Sequence, residues 1–118
     1  MVNKPDITTL LDAGVKATAM RRSAIANNIA NLHTPGYRRS DVEFGKLLET
    51  ALADGDVESE DLEAKLLQPK TTPVDSNGND VNIDMEVGEL MKNDGLQKTY
   101  LRVLASKYRQ MEMAMRVE

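Results

Sequence analysis

The stretch that decides the fold is AIANNIANLHTPGYRR, residues 24–39, in which a helical pattern ends abruptly at a Thr-Pro-Gly-Tyr sequence. Pro35 disfavours the α conformation at the residue before it, so the helix must end by about Leu32 or His33. Gly36 supplies the positive φ that a type II turn requires at its third residue. The stretch therefore predicts a long helix that stops at a fixed turn.

Three asparagines lie within five positions just before this turn, although asparagine is a poor helix former. Asn31 either caps the last carbonyls of the helix or adopts a left-handed conformation, and Asn27 lies one turn below it on the same face. Asn28 points to a different face. If it packs against another helix, its amide must be hydrogen-bonded, which fixes register and partner at some cost in stability. The alternative is that all three asparagines are solvated at a fraying helix end.

Upstream of the turn, residues at helical spacing form one continuous face. The face consists of Leu11, Thr18, Ile25 and Leu32, with Val15 and Ile29 on a neighbouring line. Asp6, Thr8 and Thr9 are all suited to cap the start of this helix, so it begins at about Asp6 or Thr8. Gly14 lies inside the helix at a cost of roughly 1 kcal/mol relative to alanine, which makes the helix marginal when isolated.

The last part of the chain has the strongest heptad pattern, which predicts a helix from about Asp84 to Arg116. One line is Ile83, Leu90, Gln97, Leu104 and Met111, and a second line, four residues after each, is Val87, Asp94, Leu101, Tyr108 and Met115. With a rise of about 1.5 Å per residue, this helix is about 50 Å long. Gly95 stands between two polar positions of the pattern, where we expect a bend or a partner contact.

Residues 33–82, between the two helical patterns, are different in kind. They carry an acidic run at 54–63, which is typical of a solvated surface, and then several helix breakers. The pattern predicts a short helix over 44–53 and a hairpin turn at Asn77-Gly78. Because so long a connection is unusual in a compact domain, we interpret the segment as a projecting or mobile element.

Together these patterns predict a mainly α chain that forms one structural unit. The N-terminal helix lies in residues 1–32, the turn and loop-rich middle element in 33–82, and the C-terminal helix in 83–118. We expect the two helices to pair as a coiled-coil-like hairpin, with a short helix or β-hairpin in the middle segment.

Several apolar residues lie off the predicted seam, and a monomer would leave many of them exposed to water. They are Met20, Met85, Met91, Leu96, Val103 and Met113. A row of exposed apolar residues along a helix is typical of a subunit interface. The sequence therefore indicates a component of an assembly.

The composition argues against several classes of function. Three tyrosines, one phenylalanine and no tryptophan are typical of helix packing rather than of an aromatic-lined ligand pocket. A net charge of −4 without a basic face argues against nucleic-acid binding. The chain has no cysteine, a single histidine, His33, and no phosphate-binding or nucleophile motif, so we expect neither enzymatic activity nor a cofactor.

A calcium site is the one metal hypothesis that the sequence raises. Asp75, Asn77, Asn79 and Glu86 stand at positions 1, 3, 5 and 12 of an EF-hand-like loop. Position 6, however, is Asp80, where such a loop requires glycine, and prolines stand where the preceding helix should be. We therefore favour a turn that leads into a capped helix, with no metal.

The run ANNIANLHTPGYRR resembles the signature segment of flagellar basal-body rod and hook proteins, an Asn-x-x-Asn-x-x-Thr-Pro-Gly-Tyr pattern. The matching residues are Asn28, Asn31, Thr34, Pro35, Gly36 and Tyr37. The segment GNDVNIDMEVGEL and the helix after it resemble the ending of the proximal rod members of this family. These matches are Gly78, Asn79, Val81, Ile83, Asp84, Glu86, Leu90, Asn93, Tyr100 and Leu104. Gly95 and the pair Leu32-His33 depart from the family pattern.

The resemblance implies a structural subunit of the proximal rod, the shaft that transmits torque from the flagellar motor to the hook. It also implies export through the flagellar type III apparatus without a cleaved signal peptide, followed by assembly in the periplasm. The implied partners are other copies of the chain, other rod proteins, the junction of the rod with the MS ring, and the export apparatus. Neither a nucleic acid nor a small-molecule substrate is implied.

We expect the residues of the two seams to pack the helices together in the assembly. They are Leu11, Val15, Ile25, Ile29, Ile83, Val87, Leu90, Leu101, Leu104, Tyr108, Met111 and Met115. The alternative interpretation is a small helical adaptor or export chaperone that binds a partner helix.

Overall fold

The computed structural model describes residues 6–44 and 64–116, and two long helices make up most of them. Helix α1 spans Ile7–Ala30 and helix α2 spans Ile83–Arg116. The two helices pack against each other, with loops and two short strands between them in the chain. The predicted fold class, a mainly α chain with a helical hairpin, is confirmed.

The two helices run antiparallel. Gly14 of α1 faces Tyr100 of α2, and towards the other end of the pair Asn28 contacts Glu86. Because both helices rise by the same amount per residue, Ile7 at the start of α1 is level with the position seven residues after Tyr100. The last nine residues of α2 therefore extend beyond the start of α1. We call these residues, 108–116, the overhang.

Helix α1 begins and ends close to its predicted limits. Asp6 is the N-cap: its carboxylate accepts the backbone N–H of Thr9 at 2.8 Å, and this hydrogen bond lowers the pKa of Asp6. The helix ends at Ala30, and Asn31 follows as the C-cap with a φ of −104°. The left-handed conformation considered for Asn31 is therefore wrong. Its predicted capping role is confirmed, because its Nδ2 donates to the carbonyl of Asn27 at 2.8 Å.

Helix α2 is continuous through Gly95. The neighbouring Asp94 accepts a hydrogen bond from Arg22 of α1 at 2.7 Å, so the polar interruption of the heptad pattern coincides with a contact inside the chain. Within the described residues, neither helix has an apolar stretch long enough to cross a membrane.

The two strands are β1, Asp41–Glu43, and β2, Lys65–Leu67, which pair in an antiparallel ladder. Val42 at the centre of β1 is buried, and Phe44 directly after the strand joins the core. Phe44 is not helical, so the predicted short helix does not begin there; the rest of that prediction, 45–53, lies outside the described residues.

The hairpin predicted at Asn77-Gly78 is wrong in one respect. A tight turn is present, and Gly78 has the positive φ expected of it, +83°. No strands flank this turn within the described residues. The N–H of Asp75 donates to the carbonyl of Asn79 across it, and the other backbone groups on either side bond to another loop. The carbonyl of Asn77 accepts from Gly36, and the N–H of Asp80 donates to Tyr37.

The apolar cluster formed by the described residues is small. Leu10 and Ala17 of α1 pack with Phe44, and two partly buried alanines border them. Within the described residues, Leu104 is the single apolar side chain of α2 that is buried. Helices with so little apolar burial depend on tertiary contacts for much of their stability.

The contact line of α2 differs from the second predicted line. Glu86 and Asn93 are buried and Tyr100 is half-buried, and these positions fall one residue before the predicted ones. Val87 and Leu101, which we expected on the seam, are 43% and 47% exposed. The prediction selected apolar residues at an offset of four, whereas the chain faces α1 with polar and aromatic residues at an offset of three. Apart from Asp94, which pairs with Arg22, the second line is therefore not the intramolecular contact.

Candidate functional site

The chain leaves α1 through a turn over Thr34–Tyr37. The N–H of Tyr37 donates to the carbonyl of Thr34 at 3.2 Å, and Gly36 has a φ of +74°, as a type II turn requires. The hydroxyl of Thr34 donates to Asn31 Oδ1 at 3.1 Å, and its N–H donates to the Asn31 carbonyl at 3.0 Å. The end of α1 and the turn are one hydrogen-bonded unit, which confirms the predicted turn.

A second turn, Asp75–Gly78, packs on the first. The N–H of Gly78 donates to the Asp75 carbonyl at 2.9 Å, and the Asn77 carbonyl accepts the N–H of Gly36 at 2.8 Å. A Cβ added at Gly78 would lie 3.4 Å from the Cα of Gly36, and both glycines have positive φ. That distance is an ordinary van der Waals contact, and a Cβ at Gly36 would meet nothing within 4 Å. Glycine is therefore favoured at both positions by the positive φ rather than by lack of space.

Asn79 ties both turns to the end of α1 and is only 1% exposed. Its Nδ2 donates to the carbonyls of Asn31 and Thr34, at 2.9 and 2.8 Å, and its Oδ1 accepts the N–H of Val81 at 2.7 Å. Each of these two carbonyls also accepts a backbone N–H, so loss of the amide would remove one of their two hydrogen bonds. It would also remove the side-chain acceptor of the buried N–H of Val81, which is costly.

Asn28 lies at the centre of the site and is fully buried. Its Oδ1 accepts the N–H of Ser40 at 2.8 Å and the hydroxyl of Tyr37 at 3.0 Å. Its Nδ2 donates to the Ser40 carbonyl at 2.8 Å and to Glu86 Oε2 at 3.2 Å. The amide thus uses all four of its hydrogen-bonding positions. The interpretation of a solvated asparagine is wrong for Asn28, whose bond to α2 fixes the register of the helices.

A buried charged cluster surrounds this amide. The Nε of Arg39 donates to Glu86 Oε1 at 2.6 Å, and the side chain of Glu86 is fully buried. The backbone N–H of Arg39 donates to Asp80 Oδ1 at 2.6 Å, and Arg38 Nε donates to Asp80 Oδ2 at 3.1 Å. Burial alone would lower the pKa of Arg39, but the hydrogen bond and charge of Glu86, with the charges of Asp41 and Asp80, outweigh it and raise the pKa.

The chemistry of this cluster suits positioning rather than catalysis. A buried ion pair is often no more stable than a well-packed apolar group, yet removal of one partner alone costs roughly 3–5 kcal/mol. Arg39 and Glu86 belong to different parts of the chain, one after the turn and one in α2. The cluster therefore penalises every arrangement of the helices that separates these two residues.

Further along the helix pair, two more contacts hold α1 and α2 in place. Asn93 is 2% exposed and donates to the carbonyl of Thr18 at 2.8 Å, while its Oδ1 has no partner among the described residues. The ring of Tyr100 lies so close to Gly14 that a Cβ there would be 2.9 Å from it. Burial raises the pKa of Tyr100, and the positive charge of Arg21 opposes this shift.

The residues of the predicted signature turn come together in this site. Asn28, Asn31, Thr34 and Tyr37 share hydrogen bonds, and Gly36 carries the positive φ. Pro35 is exposed at the corner of the turn.

The residues predicted to pack the helices divide into two groups. Leu11, Ile25 and Leu104 are buried, and Val15, Ile29 and Leu90 are half-buried. The exposed residues are Ile83, Val87, Leu101, Tyr108, Met111 and Met115. The six off-seam residues, from Met20 to Met113, are exposed as expected. A role of these exposed residues in assembly stays a prediction.

Sequence reasoning missed the charged part of the site. It considered Asp80 as a misfit in a calcium loop and Glu86 as a possible ligand, but both carboxylates are bound by protein groups. The heptad pattern of α2 contained one indication of this site. Glu86 and Asn93 recur seven residues apart, three positions after the first line, and a polar residue repeated on a helix face indicates a specific polar contact.

The chain is similar to proteins of the bacterial flagellum. The family described as flagella basal body rod protein matches residues 13–38, which contain the end of α1 and the turn. The flagellar basal body rod protein FlgB of Borreliella burgdorferi is 25% identical over 117 residues, covering 83% of this chain and 87% of that protein. FlgB of Bacillus subtilis is 29% identical over 93 residues, covering 70% of this chain and 72% of that protein.

Proposed function

We propose that the chain, which matches the flagella basal body rod protein family over residues 13–38 and is similar to two rod proteins over most of its length, is a subunit of the proximal rod. In this proposal it is not an enzyme and helps transmit torque from motor to hook. The observation that carries the proposal is the row of exposed apolar side chains on α2. In a chain similar to two rod proteins over most of its length, such a row is suited to contact with neighbouring subunits. The partners we propose are other copies, other rod proteins and the base that joins the rod to the MS ring.

The polar site supports a mechanical role. A shaft under torque must resist sliding of one helix along another, and apolar contacts alone are weakly directional. In this chain any sliding of α1 past α2 would separate Asn28 from Glu86 and Asn93 from Thr18. These hydrogen bonds oppose such a movement, because breaking either of them would leave buried polar atoms unpaired.

The small core supports export of the subunit through the flagellar type III apparatus. A chain that passes a narrow channel must unfold readily, and helices that bury little apolar surface are marginal on their own. We propose that the helices reach their full stability after export, when neighbouring subunits cover the exposed face of α2.

A motility test with matched variants separates assembly from folding. Leu101 is exposed, so Leu101→Asp should leave the folded chain intact but place a charge on the proposed interface. Thr99→Asp introduces the same charge at an exposed polar position and is the control. In a strain without its own copy of the protein, we expect wild-type and Thr99→Asp to restore rods and swimming, and Leu101→Asp to fail.

Normal motility with Leu101→Asp would count against the proposed interface. Helicity and scattered light across a concentration series give an independent test. Helicity that rises with open-ended association supports a rod subunit, whereas a compact monomer of constant helicity that binds one other protein in fixed ratio would favour an adaptor.

A further inference from the structure

Asn77 is the one asparagine of the chain that is followed by glycine. In an Asn-Gly pair the backbone nitrogen of the glycine can attack Cγ, the side-chain carbonyl carbon of the asparagine, because glycine has no Cβ to hinder the approach. The side chain of Asn77 is exposed to water, whereas those of Asn28 and Asn79 are buried. The pair Asn77-Gly78 is therefore the position of the chain best suited to spontaneous deamidation.

This reaction needs only water. The glycine nitrogen loses its proton and forms a bond to Cγ, the bond from Cγ to the amide nitrogen breaks, and ammonia leaves with that proton, so that a cyclic succinimide forms. Water then opens the ring at one of its two carbonyl carbons. Opening at Cγ gives aspartate with a normal backbone. Opening at the backbone carbonyl carbon gives isoaspartate, in which the main chain runs through the former side chain and is one methylene longer.

The folded chain opposes the first step of this reaction. The N–H of Gly78, which is the attacking group, donates to the carbonyl of Asp75 at 2.9 Å. The Oδ1 of Asn77 accepts the N–H of Asn79 at 3.2 Å, which holds the side chain in place. Attack on Cγ requires the nitrogen to lose the proton that it shares with Asp75 and the side chain to leave Asn79. Both hydrogen bonds must therefore break before the ring can close.

Packing of the second turn on the first keeps these bonds in place. The carbonyl of Asn77 accepts the N–H of Gly36 at 2.8 Å, and the N–H of Asp80 donates to the carbonyl of Tyr37 at 3.3 Å. Asn79, between them, is buried and binds two carbonyls at the end of α1. The second turn cannot open without the loss of contacts to the first.

We propose that Asn77-Gly78 is a deamidation site that the packing of the two turns protects, and that its isoaspartate product cannot restore this packing. Deamidation proceeds through a minor state in which the second turn has opened, and its rate follows the population of that state. The inference goes beyond the proposed rod function and does not depend on it.

The two products differ in their effect on the turn. In isoaspartate an extra methylene lies between the Cα of residue 77 and Gly78, and the carbonyl that bound Gly36 becomes part of a free carboxylate. The bonds that Asn79 makes to the end of α1 must then start from a displaced backbone. In aspartate the backbone is unchanged, and Oδ1 still accepts the N–H of Asn79. A chain that stays unfolded long enough to form isoaspartate should therefore be unable to complete the site.

Deamidation rates of the full-length protein, folded in buffer and unfolded in urea at the same mildly alkaline pH, test the protection. Trypsin releases residues 71–92, which contain the pair, and tandem mass spectrometry locates the mass gained when an amide becomes a carboxyl group. Isomerisation of an aspartate leaves the mass unchanged and is not counted. We expect Asn77 to deamidate at least about tenfold more slowly in the folded chain.

Gly36→Ala tests whether packing of the two turns gives this protection. Alanine is strained at the φ of +74° that Gly36 adopts, so the first turn should open more often. We expect Asn77 to deamidate at least about fivefold faster than in wild type in buffer, and at the wild-type rate in urea. Gly95→Ala adds the same methyl group where a Cβ meets nothing within 4 Å, and it should not increase the rate. Far-UV circular dichroism checks that both variants keep their helices.

Asn77→Asp separates the change in the backbone from the change in charge. It reproduces the aspartate product, so we expect it to unfold at the same urea concentration as wild type. The isoaspartate form, produced from wild type in urea, isolated by chromatography and refolded, should unfold at a lower urea concentration.

Several results would overturn the inference. Equal rates in buffer and in urea would mean that the turn does not protect Asn77, and this comparison needs no variant. An unchanged rate in a folded Gly36→Ala would mean that the first turn plays no part. Faster deamidation of another asparagine in urea would mean that Asn77 is not the site. Equal stability of the isoaspartate form and Asn77→Asp would mean that the turn tolerates the longer backbone.

Discussion

The side-chain amide of Asn28 donates to Glu86 Oε2 at 3.2 Å across the two helices, and both residues are fully buried. The same amide binds both backbone groups of Ser40 and accepts from Tyr37. Ordering of the segment after α1 and pairing of the helices are therefore coupled, because one side chain takes part in both. A change at either residue should affect the helix pair and the turn together.

The first prediction concerns Asn28→Asp, which keeps the shape of the side chain but removes both donors. The new carboxylate would face Glu86, and buried like charges disfavour ionisation. We expect a loss of about 3 kcal/mol or more in the free energy of unfolding at about pH 7, measured by urea denaturation. Because repulsion raises the carboxyl pKa in the folded state above its unfolded value, folding takes up protons, and stability should recover as the pH falls towards about 5.

Asn27→Asp is the matched control for this change. Asn27 lies next to Asn28 in the sequence but is exposed, and its Nδ2 donates to the hydroxyl of Tyr37. We expect this variant to lose no more than about 1 kcal/mol in the free energy of unfolding, with little dependence of that loss on pH. Equal losses in the two variants would show that Asn28 is not a special contact.

The second prediction concerns Glu86→Gln. This change keeps the size of the side chain but leaves the buried guanidinium of Arg39 without its closest negative charge. We expect a loss of roughly 3 kcal/mol, in the range for removal of one partner of a buried pair. Glu112→Gln breaks an exposed pair with Arg116 on the same helix and should cost no more than about 0.5 kcal/mol. A comparable loss in both variants would contradict a special role for the buried cluster.

Local features of this fold follow directly from the sequence. Asp6, Asn31 and Gly36 act within a few residues of their own positions, through a cap, a carbonyl bond and a positive φ. Interactions over so short a range are determined by residues that are neighbours in the sequence. The helix limits and the turn were therefore predictable.

Contacts between distant segments were not predictable in the same way. Glu86 meets Arg39 and Asn28 across 47 and 58 positions of the chain, and neither contact is specified by residue type alone. Periodicity identified α2 as a helix but placed Val87 rather than Glu86 on its contact face, because apolar residues were assumed to face inward. A chain whose apolar side chains point outward violates that assumption.

Gly14 illustrates the same limit, and it supplies the third prediction. In the sequence it is only a weak helix former, but in the structure a Cβ at this position would lie 2.9 Å from the ring of Tyr100. Alanine normally stabilises a helix by roughly 1 kcal/mol relative to glycine. In Gly14→Ala this gain should be offset by the cost of displacing the ring. Gly95→Ala is the control, since a Cβ there meets nothing within 4 Å.

Urea denaturation of dilute protein measures the free energy of unfolding of both variants. We expect it to rise by up to about 1 kcal/mol in the control Gly95→Ala, and to stay unchanged or fall in Gly14→Ala. Equal stabilisation by both alanines would mean that Tyr100 moves aside without cost and that the close approach does not matter.

The fourth prediction uses the pKa of Tyr100, which burial raises above its ordinary value although Arg21 opposes the shift. The unfolded chain then ionises at a lower pH than the folded chain, so stability is unaffected below about pH 10 and falls as the pH rises above it. Tyr100→Phe removes this titration, and its helicity should persist to higher pH than that of wild type. Tyr108→Phe, at an exposed tyrosine of the same helix, should leave the alkaline transition unchanged. If Tyr100→Phe unfolds at the same pH as wild type, ionisation of Tyr100 is not what opens the helix pair.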